Sequence, residues 1–253
     1  MIKQRMATVD LLDKNYDEQK IWRYIDYWKL KKLIKSHSLY FTSISKLEKE
    51  DSQEGMPSKL MSDVFDKIDK VYNKKVLSTI VNKSDLKPDT IIYDWRKSHE
   101  AHKKQVYVNC WTKKKEESWM WANYTKCVES VAIQSTYGRL KKCFNGKGDY
   151  LFIKTIQYID HDKSVNFSGH GTGHFTKKNI RFRRESELRI IFDYRMYRNQ
   201  PKSHGICKSV DLTTLIQSIV CKPNSPPEFL AKVKKLVESN SLDIKITKSK
   251  NLK

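Results

Sequence analysis

The chain has 253 residues, with 50 Lys and Arg against 29 Asp and Glu and a formal net charge of +21, enough length for one large domain with a single core. Hydrophobic residues make up only 38%, but the 11% aromatic content offsets this and excludes a disordered chain, since each ring buries a large area. So positive a surface points to a polyanionic partner, nucleic acid ahead of an anionic membrane, although lysine spread along the whole chain also fits a compositional bias.

The N-terminal 20 residues read as a polar arm. Trp22 to Tyr24 reads as a short strand, followed by Asp26 as an N-cap and a helix with apolar residues at Tyr27, Leu30, Leu33 and Ile34. Leu39 to Ser43 is a second strand, and Glu50 to Ser58 is rich in turn formers. Residues 59–105 carry helical spacing at Leu60, Val64, Ile68 and Val71, and read as a helical insertion split at Pro88. Tyr107 to Trp111 is a strand, Glu116 to Tyr124 a helix start, Ser130 to Ser135 a strand and Thr136 to Cys143 a helix. Leu151 to Ile159 alternates as a strand, and a Gly- and His-rich loop spans 160–179. Ile180 to Phe192 reads as two strand pieces joined at an acidic pair, with a turn near Pro201 beyond. After an apolar segment at Leu212 to Val220, Pro226-Pro227 precedes a helix, Leu242 to Ile246 closes as a strand, and 249–253 forms a basic tail. The pattern is α+β in one domain over 1–253.

Five widely spaced cysteines (Cys110, Cys127, Cys143, Cys207, Cys221), without a Cys-x-x-Cys, exclude a disulfide framework and a zinc ribbon. No secretory leader and no run of about 18 apolar residues is present, so a reduced, cytoplasmic protein without a membrane segment is expected. Phosphate-loop, dinucleotide-fingerprint, nucleophile-elbow and zinc-protease motifs are also missing. His161, His170 and His174 share one loop, but loop histidines without matched ligands are ordinary polar content, and no metal site is expected.

Glu185-x-Glu187 is the most informative pair. On a strand, residues two apart share a face, and like charges held together shift a pKa unless cations such as Arg181, Arg183, Arg184 and Arg189 compensate. An exposed ion-pair ladder on a sheet edge has the same spacing.

Tyr24 behind Arg23, Leu39-Tyr40-Phe41-Thr42-Ser43, Asn109-Cys110-Trp111-Thr112, Trp119 to Tyr124 (WMWANY) and Glu185-Ser186-Glu187-Leu188-Arg189 follow one another in order. Over roughly residues 20 to 248 this series resembles a widespread bacterial family known only as a domain of unknown function. Its members read Tyr-[Arg/His]-Tyr, LYFSS with NDPxEG, C[FW]S/T with MWxxY, and ExExR. Of NDPxEG this chain keeps Asp51 and Glu54-Gly55. That family in turn resembles the ADP-ribosyltransferases, which implies split antiparallel β-sheets with flanking helices and NAD as a substrate. On that resemblance Glu187 would be the catalytic carboxylate and Glu185 its support. Arg23 would hold the pyrophosphate or adenosine ribose, Thr42 and Ser43 the nicotinamide ribose, and Tyr24, Trp121 or Tyr124 the nicotinamide ring, although aromatics three apart on a helix are also ordinary core. Lys177, Lys178, Arg181, Arg183 and Arg184, interleaved with Phe175 and Phe182, form a basic loop suited to a nucleic acid, RNA more than duplex DNA. The expected role is a toxin or phage-defence effector, with an antitoxin or regulatory protein as a partner. Two rivals remain: a nuclease with Mg²⁺ on Asp51, Glu185 and Glu187, and a non-catalytic nucleic-acid-binding module.

Overall fold

Alternation in the sequence becomes a mostly antiparallel open sheet with helices on both faces. The structure is a computed structural model describing residues 14–48, 51–80, 94–115, 117–144, 151–163, 173–194 and 204–249. The first part of the polar arm, the Pro88 break, the centre of the His-rich loop, the turn near Pro201 and the end of the basic tail lie outside these residues.

A 3-10 turn at Lys14–Glu18 leads into β1 (Lys20–Asp26), α1 (Tyr27–Ser36), β2 (Ser38–Ser43) and the single-turn α2 (Ile44–Leu47). The arm is therefore folded at its end, where Tyr16 meets Tyr137 edge-on and Asp17 pairs with Lys141. Next come α3 (Lys59–Ile80), α4 (Trp95–Lys103), β3 (Val106–Thr112), α5 (Ser118–Tyr124), β4 (Ser130–Thr136) and α6 (Tyr137–Lys142). β5 (Leu151–Thr155), β6 (Gln157–Ile159), β7 (Lys177–Asn179), β8 (Glu187–Asp193) and β9 (Gly205–Ser209) follow, then α7 (Leu212–Leu215), β10 (Ser218–Cys221), α8 (Phe229–Glu238) and β11 (Lys245–Lys248).

The strands run β11-β10-β4-β1-β3-β2-β9, with β8 on β3 and β5 on β8, while β6 and β7 pair separately. β3 is the branch point. One edge of it pairs with β8 over its whole length, from Val106↔Asp193 to Thr112↔Glu187. The other edge meets β1 only at Thr112↔Trp22, and β2 only at Val108↔Thr42 and Tyr107↔Ser43. β1 and β2 therefore part beside Asn109 to Trp111. Asn109 spans the gap by donating from Nδ2 to the Tyr40 carbonyl at 2.9 Å, while its Oδ1 accepts from Trp111 Nε1 at 2.7 Å.

Parity assigns the faces. Leu188, Ile190 and Phe192 enter the main core with Leu30, Leu33 and Ile34 of α1 and Phe229 and Val233 of α8. Glu187, Arg189 and Ile191 point the other way, where Ile191 packs with Ile44, Val108 and Phe175. Over β1 and β4 that second face is covered by Met120 and Trp121 of α5.

Several expectations need correcting. Residues 180–185 form a 3-10 helix, Ser186 takes a left-handed turn at φ 45°, and only then does β8 begin, so the acidic pair does not lie on one strand. Asp26 stands at the N-cap of α1, yet its carboxylate accepts from Lys126 N, Cys127 N and Ser130 Oγ, tying α1 to β4. On α3 the expected apolar stripe is exposed, up to 70% at Val71. The docked edge is one residue over: Met61 is buried, Phe65 meets Trp95, and Asp66 and Asp69 accept from the indole and backbone N–H of Trp95. The last strand begins at Lys245 rather than Leu242, Leu151 to Ile159 divides into β5 and β6, and β9 had no signal.

Behind Phe175 the insertion is held by histidines. His99 stacks on its ring and hydrogen-bonds the Gly55 carbonyl, His102 pairs with Asp193, and His174 stands edge-on to His99. Burial, with His99 alongside, pushes His174 down to about 4. The unfolded chain, with a histidine near 6.5, therefore binds more protons, so this contribution is complete above about pH 6.5 and lost as pH falls towards 4. Urea unfolding should show wild type losing up to about 3 kcal/mol between those limits beyond what His174→Gln loses.

Candidate active site

Where β1 and β2 part, a cleft of about 1310 Å³ opens. It is larger than the roughly 300–1,000 Å³ of a pocket for one drug-sized ligand. β1 supplies Arg23 and Tyr24, β2 supplies Tyr40 and Thr42, β3 supplies Cys110 and Thr112, and α5 supplies Tyr124. Lys178, Glu185, Glu187 and Arg189 form one end, while the lysines of α1 form another wall.

The two glutamates converge by a turn rather than by strand alternation. Thr112 Oγ1 donates to the Glu185 carbonyl at 2.6 Å and Lys113 N to the Ser186 carbonyl at 3.0 Å, so the end of β3 pins the left-handed Ser186. Glu187 N donates to Tyr158 Oη at 2.7 Å, which anchors the start of β8. Lys178 Nζ then lies 2.6 Å from Glu185 Oε2 and 3.5 Å from Glu187 Oε2.

Behind them Arg189 is fully buried. It grips Glu187 with two bonds, Nε to Oε1 at 2.8 Å and Nη2 to Oε2 at 3.0 Å, and its Nη1 donates to Glu54 Oε1 and the Phe175 carbonyl. Bidentate, charge-assisted pairing of this kind fixes a carboxylate in one orientation. Glu54 reaches the cluster because Gly55 turns at φ +70°, and a side chain there would press on Ile44 and Phe175.

Environment separates the two acids. Burial raises Glu185, opposed by Lys178 and by the Tyr124 hydroxyl, and the net direction is upward. Burial also opposes the charge on Glu187, but Arg189 and Lys178 outweigh it and hold this carboxyl down at about 2. Neighbouring carboxyls pushed apart in this way suit one permanent anion and one proton acceptor. Cys110 is not a nucleophile here. Burial, then the Glu187 charge, pushes its thiol far up, and it donates to Glu187 as a neutral S–H.

Among the site residues expected from sequence, Arg23, Tyr24, Thr42, Tyr124, Lys178, Glu185 and Glu187 line this one cleft. Ser43 does not; the next residue on β2, it turns away to share a hydrogen bond with Ser45. Trp121 belongs to the core, edge-on to Tyr24 at 4.8 Å. Lys177 is buried, Arg181 pairs with Asp51, and Arg184 lies over Trp119 and near Glu117. Arg183 is exposed. Arg23 is half-buried, and its guanidinium has no hydrogen bond or ion pair with any described residue. Burial lowers it to about 10, so it stays cationic without a counter-ion. Cys110, Glu54 and Tyr158 were not expected from sequence; only the retained Glu54-Gly55 gave a signal.

Among the described residues no group of three or more His, Cys, Asp or Glu side chains is arranged to hold a metal ion. None of the described helices is long and apolar enough to cross a membrane. Comparison of the chain with protein-family models, with curated proteins and with solved structures gives no match.

Two outcomes follow from this geometry. Arg189→Met strands two buried carboxylates and should cost about 3–5 kcal/mol in denaturant unfolding, with Glu187→Gln costing less because the neutral amide still accepts from Arg189. In native protein, iodoacetamide should label the exposed Cys127 and Cys207 well before Cys110.

Proposed function

We propose that the chain is an NAD-dependent ADP-ribosyltransferase that modifies nucleic acid, RNA in preference to duplex DNA, as an effector of the toxin or phage-defence kind with an antitoxin or regulatory protein as partner. On this reading it belongs with the uncharacterised bacterial family it resembles, and its parted β1 and β2 are the split of an ADP-ribosyltransferase sheet. The observation that carries the reading is the pair Glu185 and Glu187, with opposite pKa shifts, in the same cleft as an arginine that has no anionic partner among the described residues.

Each role follows from chemistry. Arg23, cationic and without a counter-ion, gains most from a pyrophosphate, which its planar fork of donors fits. Thr42 offers a hydroxyl to the ribose, and Tyr24 and Tyr124 wall the nicotinamide ring. As the bond from ribose C1′ to nicotinamide breaks, its electron pair leaves with the ring and positive charge grows on the ribose. Glu187, held ionised by Arg189, stabilises that charge. The new bond joins C1′ to a hydroxyl or ring nitrogen of the acceptor, whose proton passes to Glu185.

The nuclease reading is weaker, because the carboxylates it needs already bind cations: Asp51 holds Arg181, Glu185 holds Lys178, and Glu187 holds Arg189. The decisive experiment incubates the protein with labelled NAD and separate pools of RNA, DNA and protein. Label should enter RNA without need of a divalent metal. Glu187→Gln should reduce transfer by about 10²–10³-fold. Transfer should rise with pH through an apparent pKa above the usual carboxylate value, and Glu185→Gln should lose that limb. Saturating NAD should raise the melting temperature of wild type and much less that of Arg23→Ala. Equal melting with and without NAD, together with EDTA-sensitive cleavage of RNA, would transfer the function to a nuclease.

A further inference from the structure

We infer that the outer face of α1, with Trp28 as a stacking platform and Lys29, Lys31, Lys32 and Lys35 as phosphate contacts, is the docking surface for a single-stranded nucleic acid entering the cleft. This deepens the preceding reading and rests on it for the direction in which the strand is fed, though binding itself needs no NAD.

α1 reads Tyr-Trp-Lys-Leu-Lys-Lys-Leu-Ile-Lys-Ser, without an acidic residue. Its apolar side, Leu30, Leu33 and Ile34, is spent on the sheet core. What remains outward is Trp28, 51% exposed, and four exposed lysines. The Lys29 and Lys32 ammonium groups stand 5.4 and 4.9 Å from the Trp28 ring centroid, so ring and charges form one patch. Lys31, Lys32 and Lys35, and Lys46 of α2, make no ion pair or hydrogen bond with any described residue, while Lys29 stands within electrostatic reach of Asp26. All of them line the same cleft as the glutamates, as does the half-exposed Tyr40, whose ring has room beside Gly205.

The cations of the 177–184 loop named in the sequence are placed differently. Lys177 is buried, Lys178 neutralises the glutamates, and Arg181 is paired to Asp51. Exposed lysines beside an exposed indole match what single strands require, a track for phosphates and a flat face for a base. A duplex keeps its bases stacked and offers Trp28 nothing. A membrane surface fits less well, since an interfacial helix inserts its apolar side, and that of α1 is buried.

The experiment is fluorescence anisotropy of full-length protein with a labelled single-stranded RNA of about 12 nucleotides, the same sequence as single-stranded DNA, and a duplex, across a salt series without NAD. Wild type should prefer single strands, with log affinity falling by about 0.7 per log salt for each phosphate neutralised, hence a slope near −3 for four lysines. Trp28→Ala should weaken single-strand binding about 5- to 150-fold at an unchanged salt slope, with Trp28→Phe retaining most of it. Lys29→Ala with Lys31→Ala and Lys32→Ala should flatten the slope by about 2 units. Both variants should melt as wild type does and keep the NAD-induced rise in melting temperature, which separates failure of this surface from failure of the NAD reading. Wild-type affinity in both variants, equal binding of duplex, or binding only to vesicles of anionic phospholipid would each overturn the proposal.

Discussion

A guanidinium with no exposed surface governs this molecule. Taking Arg189 out of water costs several kcal/mol unless its nitrogens find acceptors, and here Glu187, Glu54 and the Phe175 carbonyl give each of the three at least one. β8, the turn at Asp51 to Met56 and the segment at Gly173 to Lys178 thus settle as one unit around it. Charge within the cluster does not balance. Glu54, Glu185 and Glu187 face Arg189 and Lys178, leaving one excess negative charge. Burial pushes the Glu185 carboxyl upward, while Arg189 and Lys178 hold Glu187 down. A device that secures the fold thereby leaves two adjacent acids chemically distinct.

The cleft depends on a second economy, at β3. A strand with three partners can pair fully with only two, and β8 claims one edge entirely. β1 and β2 divide what is left and diverge, which would leave backbone groups without partners were it not for Asn109 reaching the Tyr40 carbonyl. Opening the sheet in this way brings Arg23 and Thr42 from separate strands to one space while the core beneath stays closed. The cleft also carries charge of both signs, with the lysines of α1 on one wall and the cation-bound carboxylates Glu185 and Glu187 on another. Lys178 and Arg189 keep the acidic end from repelling a phosphorylated ligand.

Much of this was legible in the sequence, and the failures share a cause. Strands at Trp22, Leu39 and Tyr107 were legible as short apolar and aromatic runs, and that at Ser130 by alternation, because each has at least one buried face. The convergence of Glu185 and Glu187 was read correctly from the wrong geometry. A left-handed serine does what strand parity was expected to do, and nothing in a Glu-Ser-Glu string signals φ 45°. On α3 hydrophobicity selected Leu60, Val64, Ile68 and Val71, while the docked edge was decided by Trp95, whose N–H groups need Asp66 and Asp69. Polar partners 26 and 29 residues away are invisible to periodicity.

Charge was the least legible feature, for a reason that helix and loop geometry make plain. The segment from Lys177 to Arg184 is the densest basic run, yet Asp51, Glu117 and Glu187 meet it from other elements, and Glu185 from the end of its own 3-10 helix, and absorb part of its charge. α1 carries Lys31, Lys32 and Lys35 with no acidic residue three or four positions away, and only Lys29 has one, Asp26, whose carboxylate is already bound to the start of β4. Ion pairs that close the fold are drawn from wherever carboxylates happen to be near, and a count of basic residues cannot anticipate them. The cations left for a ligand are those remaining after the fold has met its own needs. Among the described residues, Arg23 and Lys31, Lys32 and Lys35 of α1 are cations of this kind, on one cleft with the two glutamates.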